Sequence, residues 1–70
     1  MQEQSSFISG EDKIISAMQE AEQLAWEALS GYKFWMFGYH AAQWVNLNRL
    51  LEKKQPNPFR DAVLLAREKV

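Results

Sequence analysis

The stretch Ala28-Leu29-Ser30-Gly31-Tyr32-Lys33-Phe34-Trp35-Met36-Phe37-Gly38-Tyr39 decides the fold, because a helix arriving at Ser30 either runs on through Gly31 or stops there. Upstream, Ile14, Met18, Ala21, Ala25, Ala28 and Tyr32 recur in alternating steps of four and three, the spacing of one face of an α-helix. Ala17, Leu24 and Leu29 widen that face, while Gln19, Glu20, Gln23 and Glu27 fall mostly opposite. The segment 10–30 therefore reads as an amphipathic helix of about six turns. Alanines dominate the middle of its apolar stripe, which leaves a shallow groove where large side chains can insert. Gly31 suits a left-handed helix terminus. A continuous rod through Gly31 would leave the aromatic residues that follow with nothing in the chain to pack on, so the pattern predicts a break and a hairpin.

Downstream, Phe37, Trp44 and Leu51 share one helical edge, and Phe34, Gly38, Ala41 and Val45 continue it around the cylinder, with Asn48 as an interruption. The opposite side carries Trp35, Met36, Tyr39, Ala42, Leu47 and Leu50 mixed with His40, Gln43 and Asn46. A helix over about 32–54 that is apolar nearly all round needs cover on more than one side. Gln55-Pro56-Asn57-Pro58 should end it, since each proline removes a backbone donor and restrains the residue before it. Asn57 as cap and Pro58 as first residue then open a short third helix over 58–69, with Phe59, Ala62, Val63, Ala66 and Val70 as its stripe. At the other end, Ser9-Gly10-Glu11-Asp12 has the form of a capping box. Residues 1–8 are expected to be a flexible terminus and 9–70 a single helical domain. The expected fold class is all-α, an antiparallel helical hairpin plus a short third helix, completing a helical bundle by oligomerisation. Phe34, Phe37, Trp44 and Val45 are expected in the alanine groove.

Composition bears on how such a chain can be stable. With 70 residues it buries a smaller fraction of its surface than a domain of ordinary size, and small scaffolds usually add disulfides, a metal, dense packing or association. Cysteine is absent and there is a single His, so neither a disulfide nor a zinc site is expected. Three Trp, four Phe and two Tyr favour dense packing and oligomerisation instead. The first residues, Met1-Gln2-Glu3-Gln4-Ser5-Ser6, have neither the basic start nor the apolar core of a signal peptide, and the expectation is a soluble, cytoplasmic protein. Phe34 to Leu47 is too short and too interrupted to be a membrane span.

Net charge is −1, which argues against a general polyanion binder. Residues 1–30 hold Glu3, Glu11, Asp12, Glu20, Glu22 and Glu27 against Lys13, a sum of −5. Residues 31–70 hold Lys33, Arg49, Lys53, Lys54, Arg60, Arg67 and Lys69 against Glu52, Asp61 and Glu68, a sum of +4. The halves should attract, within one chain or across a dimer.

No catalytic set assembles from the residue types. His40 has Met36, Phe37, Gln43 and Trp44 three and four residues away, none of them a nucleophile or an orienting acid, so an interface histidine is the expectation. Glu20 and Glu27 share a face but lack the Glu-x-x-His motif of helical di-metal sites, and read as a solvated face. Gly38, Ala41 and Ala42 are expected to pack closely on the alanine stripe. The aromatic run Tyr32, Phe34, Trp35, Phe37, Tyr39 and Trp44 could stack bases, but single-strand binders place such rings in a basic field. The pattern that stands out is Trp35, Met36, Tyr39, Leu47 and Leu50 alternating with His40, Gln43 and Asn46, a mixture of aromatic anchors and hydrogen-bonding groups that resembles the centre of a protein interface. The expected function is a small protein-interaction module of inhibitor or adaptor type, self-associating and without cofactor or catalysis. The alternatives are a helical oligomer that holds a small aromatic or nucleotide ligand between subunits, through Trp35, Tyr39 and Arg49, and a nucleic-acid-associated regulator.

Overall fold

The computed structural model describes the backbone of residues 2–70 and the side chains of residues 10–70. Among them are three helices and no strands: α1 over Gln2–Ser30, α2 over Phe34–Asn48 and α3 over Arg60–Glu68. α1 is longer than expected and carries Gly10 within it, so the boundary near residue 10 is corrected to Gln2. The side chain of Ser9, on which the capping box depends, lies outside the described residues.

α1 and α2 pack together as the expected antiparallel hairpin. In register, Leu24 to Ala28 face Met36 to His40, while Ala17 to Ala21 face Gln43 to Leu47. The buried core is Met18, Ala21, Ala25 and Ala28 from α1, Trp44 from α2, and Leu51 and Phe59 from the segment that follows. Trp44 is 3% exposed, and full burial of an aromatic side chain is worth about 4–6 kcal/mol at ~25 cal/mol per Å². Phe37 and Val45 are half-buried against this core as expected, but Phe34 is 63% exposed. Phe34 opens α2 at a level where α1 has already ended, so no alanine lies opposite it.

The turn between the helices differs from expectation by one residue. The amide of Lys33 donates to the Ala28 carbonyl (2.8 Å) and that of Tyr32 to Leu29 (3.0 Å), the paired bonds of a Schellman motif with Tyr32 at its left-handed position. Tyr32 has φ 64°, the only positive value at a non-glycine among the described residues, and Gly31 has none. An L-residue there is strained by roughly 1–2 kcal/mol. Its ring is exposed and lies edge-on to Phe34, with centroids 6.3 Å apart.

α2 ends at Asn48, six residues short of the expected 54. The cause is the Asn48 side chain, which takes both backbone groups of Gln55: its Oδ1 accepts from the Gln55 amide (2.8 Å) and its Nδ2 donates to the Gln55 carbonyl (3.0 Å). That clasp turns residues 49–55 back on themselves and drives Leu51 into the core, while the Glu52 amide donates to the Glu11 carboxylate (3.4 Å). Farther on, Asn57 Oδ1 accepts from the Phe59 amide (2.8 Å) in a turn ahead of α3, but α3 begins at Arg60 with Phe59 as its N-cap, so the expected cap at Asn57 and start at Pro58 are corrected.

No residue of α3 is buried, and α3 packs against neither of the other helices. The chain measures 52 × 23 × 12 Å with a radius of gyration of 14.5 Å. A compact chain of this length would have a radius near 11 Å. The molecule is a thin slab, with α3 set beyond the hairpin.

Three changes test these turns. Tyr32→Gly should raise stability by up to about 1 kcal/mol in urea unfolding, since relief of strain exceeds the entropy glycine adds. Gly31→Ala should be tolerated, because an added Cβ would meet the carbonyls of Glu27 and Ala28 at an ordinary 3.8 Å; a loss of stability there would mean that Gly31 is the left-handed residue. Asn48→Ala removes two hydrogen bonds and should destabilise by about 1–2 kcal/mol, with faster amide exchange over 49–55.

Candidate interaction surfaces

The eight residues singled out from sequence fall in four places. Trp35 is 82% and Tyr39 55% exposed on the outward side of α2, with rings stacked at 6.3 Å between centroids and 6° between planes. This i, i+4 pair, next to exposed Tyr32 and Phe34, forms an aromatic ridge at the hairpin tip. Gln43, Asn46 and Leu47 sit on another side of α2, where with Ala17, Glu20, Ala21 and Leu24 they line an open groove of about 560 Å³. Met36 and His40 lie between these places, in a smaller hollow beside Glu27 and Lys33. Leu50 is exposed but follows the end of α2, away from the ridge.

His40 is half-buried beneath Tyr39, whose ring meets it edge-on at 5.2 Å. Its Nδ1 is enclosed and has no hydrogen-bond partner. Among the described residues no group of three or more His, Asp or Glu side chains is gathered as metal ligands would be. The recorded hydrogen bonds of the α1 acids run to neutral donors: Glu22 accepts from the Trp26 indole (3.1 Å), Glu27 from Gln23 (3.2 Å) and Glu11 from the Glu52 backbone. The Lys54 ammonium donates to the Leu51 carbonyl (3.0 Å). Among the described residues, none of these contacts is an ion pair between the acidic and basic halves.

The reverse side of the slab holds a surface that sequence reasoning missed. Trp26 lies next to Ala25 on α1, just off the alanine stripe, and its ring covers Phe59 at 5.0 Å and approaches Phe37 at 6.1 Å. Phe59 in turn meets Phe37 and Trp44 edge-on at 5.6 and 6.2 Å, favourable geometry for aromatic pairs. This cluster pins the start of α3. Beyond it α2 and α3 diverge, leaving an open groove of about 370 Å³ with Phe37, Ala41, Ala42 and Val45 on one wall and Ala62, Val63 and Ala66 on the other. Asn57 is its only polar lining residue. Of the small residues expected to pack on the α1 alanines, Ala41 is half-buried against that core, but Gly38 and Ala42 are exposed and nothing lies within 4 Å of a Cβ built on Gly38, so the expectation is corrected for these two, and Ala42 faces the open groove. The signal was present in sequence as the Phe37, Ala41, Val45 edge, but periodicity does not say which neighbour covers an edge.

The three surfaces differ in chemistry. The ridge offers flat rings, the groove by Gln43 offers mixed polar and apolar contacts, and the α2–α3 groove is suited to aliphatic side chains of a helix. Among the described residues no helix is long and apolar enough to cross a membrane. Compared with known proteins, the chain matches no family model, no curated protein and no solved structure.

Phe59→Ala should cost about 3–5 kcal/mol, as for large buried aromatics generally. It should also release α3, read as a loss of helical circular dichroism before the Trp44 core melts. Retention of α3 in that variant would mean that something other than the ring cluster holds it.

Proposed function

We propose that this chain is a small protein-interaction module of inhibitor or adaptor type that works by docking and not by catalysis, through the aromatic side of α2, and that it self-associates. The observation that carries this reading is the exposed, stacked pair Trp35 and Tyr39, flanked by Tyr32 and Phe34. Single exposed apolar residues are ordinary, but a contiguous set of large rings is what binding surfaces present, and Trp and Tyr are enriched among the residues that carry interface energy. The strain at Tyr32 supports the same reading. A glycine would satisfy that turn at less cost, and the sequence instead places a ring there beside the ridge.

The alternative, a helical oligomer that holds a small aromatic or nucleotide ligand between subunits through Trp35, Tyr39 and Arg49, would have to draw the rings and the guanidinium from different chains. Arg49 follows the end of α2, fourteen positions after Trp35, and at 1.5 Å per residue the two are separated by about 21 Å along the axis. One small ligand does not bridge them within a chain.

The test is the double variant Trp35→Ala/Tyr39→Ala, used in affinity capture from the native host beside the unmodified chain. Surface rings contribute little to folding, so the double variant should keep its unfolding free energy to within about 0.5 kcal/mol. It should lose partner recovery at least tenfold. Unchanged capture would show the ridge to be inert, and a large loss of stability would show the rings to be structural.

A further inference from the structure

We propose that the chain self-associates by laying α3 of one copy against α1 of another, with Arg60, Leu64 and Arg67 of α3 seated on Glu20, Leu24 and Glu27 of α1. This rests on the interaction-module reading and supplies the surfaces for its self-association, which are separate from the Trp35–Tyr39 ridge.

Spacing argues first. On α1, Glu20, Leu24 and Glu27 follow one another in steps of four and three, and on α3, Arg60, Leu64 and Arg67 take the same steps with opposite charge. At about 100° per residue each triad forms a stripe roughly 60° wide along its helix, with a leucine between two like charges. All six residues are exposed, Leu24 and Leu64 each at 38%. The charges stand two turns apart on both helices, about 10.5 Å, so they meet in pairs when the helices lie side by side. Arg60 and Arg67 are the only basic residues of α3, and its acids Asp61 and Glu68 are turned from the stripe by about 100°.

Nothing within one chain uses this match. α1 and α3 are not in contact. Among the described residues, the hydrogen bond recorded at these four charges comes from a neutral donor, Gln23 to Glu27 (3.2 Å). α3 itself is a nine-residue helix with no buried residue, and helices of that length are marginal in water unless they pack on something.

Charge selects the occupant. Laying α1 on α1, or α3 on α3, along these stripes would set like charges opposite one another, whereas α3 on α1 sets every charge against its opposite. Exposed ion pairs add little affinity each, so the charges fix which helix meets which, and cohesion comes from apolar contact. Leu24 lines a groove with Ala17, Ala21 and Leu47, and Glu20 lines it too, so Leu64 arriving between its arginines meets an apolar seat. A net charge of −1 sets up little long-range repulsion between copies.

The experiment is sedimentation equilibrium on the full chain at roughly 200 µM in about 0.1 M NaCl, where an association with a Kd near or below about 50 µM is populated. The unmodified chain should sediment above its monomer mass of 8.2 kDa, and less so in about 0.5 M NaCl, where screening is stronger. Glu20→Arg/Glu27→Arg and Arg60→Glu/Arg67→Glu should each associate at least tenfold more weakly. Mixed in equal amounts, these two variants should associate again, because one carries two basic stripes and the other two acidic ones. Lys53→Glu/Lys69→Glu has the same net charge as Arg60→Glu/Arg67→Glu but keeps both stripes, and should associate like the unmodified chain. So should Trp35→Ala/Tyr39→Ala. A monomeric unmodified chain, or association indifferent to Glu20→Arg/Glu27→Arg, overturns the proposal. A mixture that stays monomeric although both variants keep their helical circular dichroism overturns it as well. Should Arg60→Glu/Arg67→Glu lose α3, the α1 variant decides alone, since it leaves α3 untouched. Dissociation by Trp35→Ala/Tyr39→Ala alone also overturns the proposal, moving self-association to the ridge and leaving the interaction-module reading intact.

Discussion

The indole of Trp44 reaches the middle of α1 because Ala21 and Ala25 present only methyl groups along that stripe. Bulky residues there would hold the helices apart, whereas alanines let two backbones approach with one large ring between them. Everything else in the chain is arranged around this contact. Leu51 and Phe59 complete its cover from the connecting segment, and Trp26 and Phe37 roof Phe59. Among the described residues seven side chains are buried, four of them on α1. This core leaves much of the aromatic content outside.

The parts of this arrangement that depend on local periodicity were legible. The alternation of four and three along α1 fixes which face turns inward, and the alanine groove with Trp44 in it follows from the same count. What escaped depends on single side chains meeting partners that periodicity does not register. Asn48 looked like a flaw in an apolar edge, but its amide matches the donor and acceptor of Gln55 seven residues on and ends the helix. The turn has a similar lesson. Gly31 had the right chemistry for the left-handed position, yet the hydrogen bonds place Tyr32 there, one residue later, because the Schellman register is set by which carbonyls of α1 remain open. Trp26 was overlooked because it sits just off the stripe, where its role depends on Phe59 arriving from more than thirty residues away.

The candidate site was legible in composition more than in place. An all-round apolar α2 correctly implied more surface than α1 can cover, and Trp35, Met36 and Tyr39 are exposed as that argument requires. Treating the remaining face as one constellation was too coarse. Successive residues on a helix are turned by about 100°, so Gln43 and Leu47 line the groove beside α1 while Ala41 and Val45 on the apolar flank line the groove beside α3, with the exposed rings of Trp35 and Tyr39 between them. The apolar flank became a groove only because the early stop at Asn48 let the chain double back and bring α3 alongside.

That early stop is what makes the molecule thin. Had α2 continued to Lys54, α1 would have had a partner along more of its length, and Leu51 would have lain on the helix edge with Trp44. Ending at Asn48 instead spends eleven residues on a connection that fills the core with Leu51 and Phe59, then delivers a nine-residue helix to the rim with no helix behind it. Small domains that lack disulfides and metals depend on apolar contact for stability, and here a substantial share of the apolar residues contributes none within the chain. A slab about 12 Å thick has no second layer of its own, whereas stable domains are commonly built from two. The exposed apolar side chains of α2 and α3 are therefore those from which the proposed contacts with other molecules would be made.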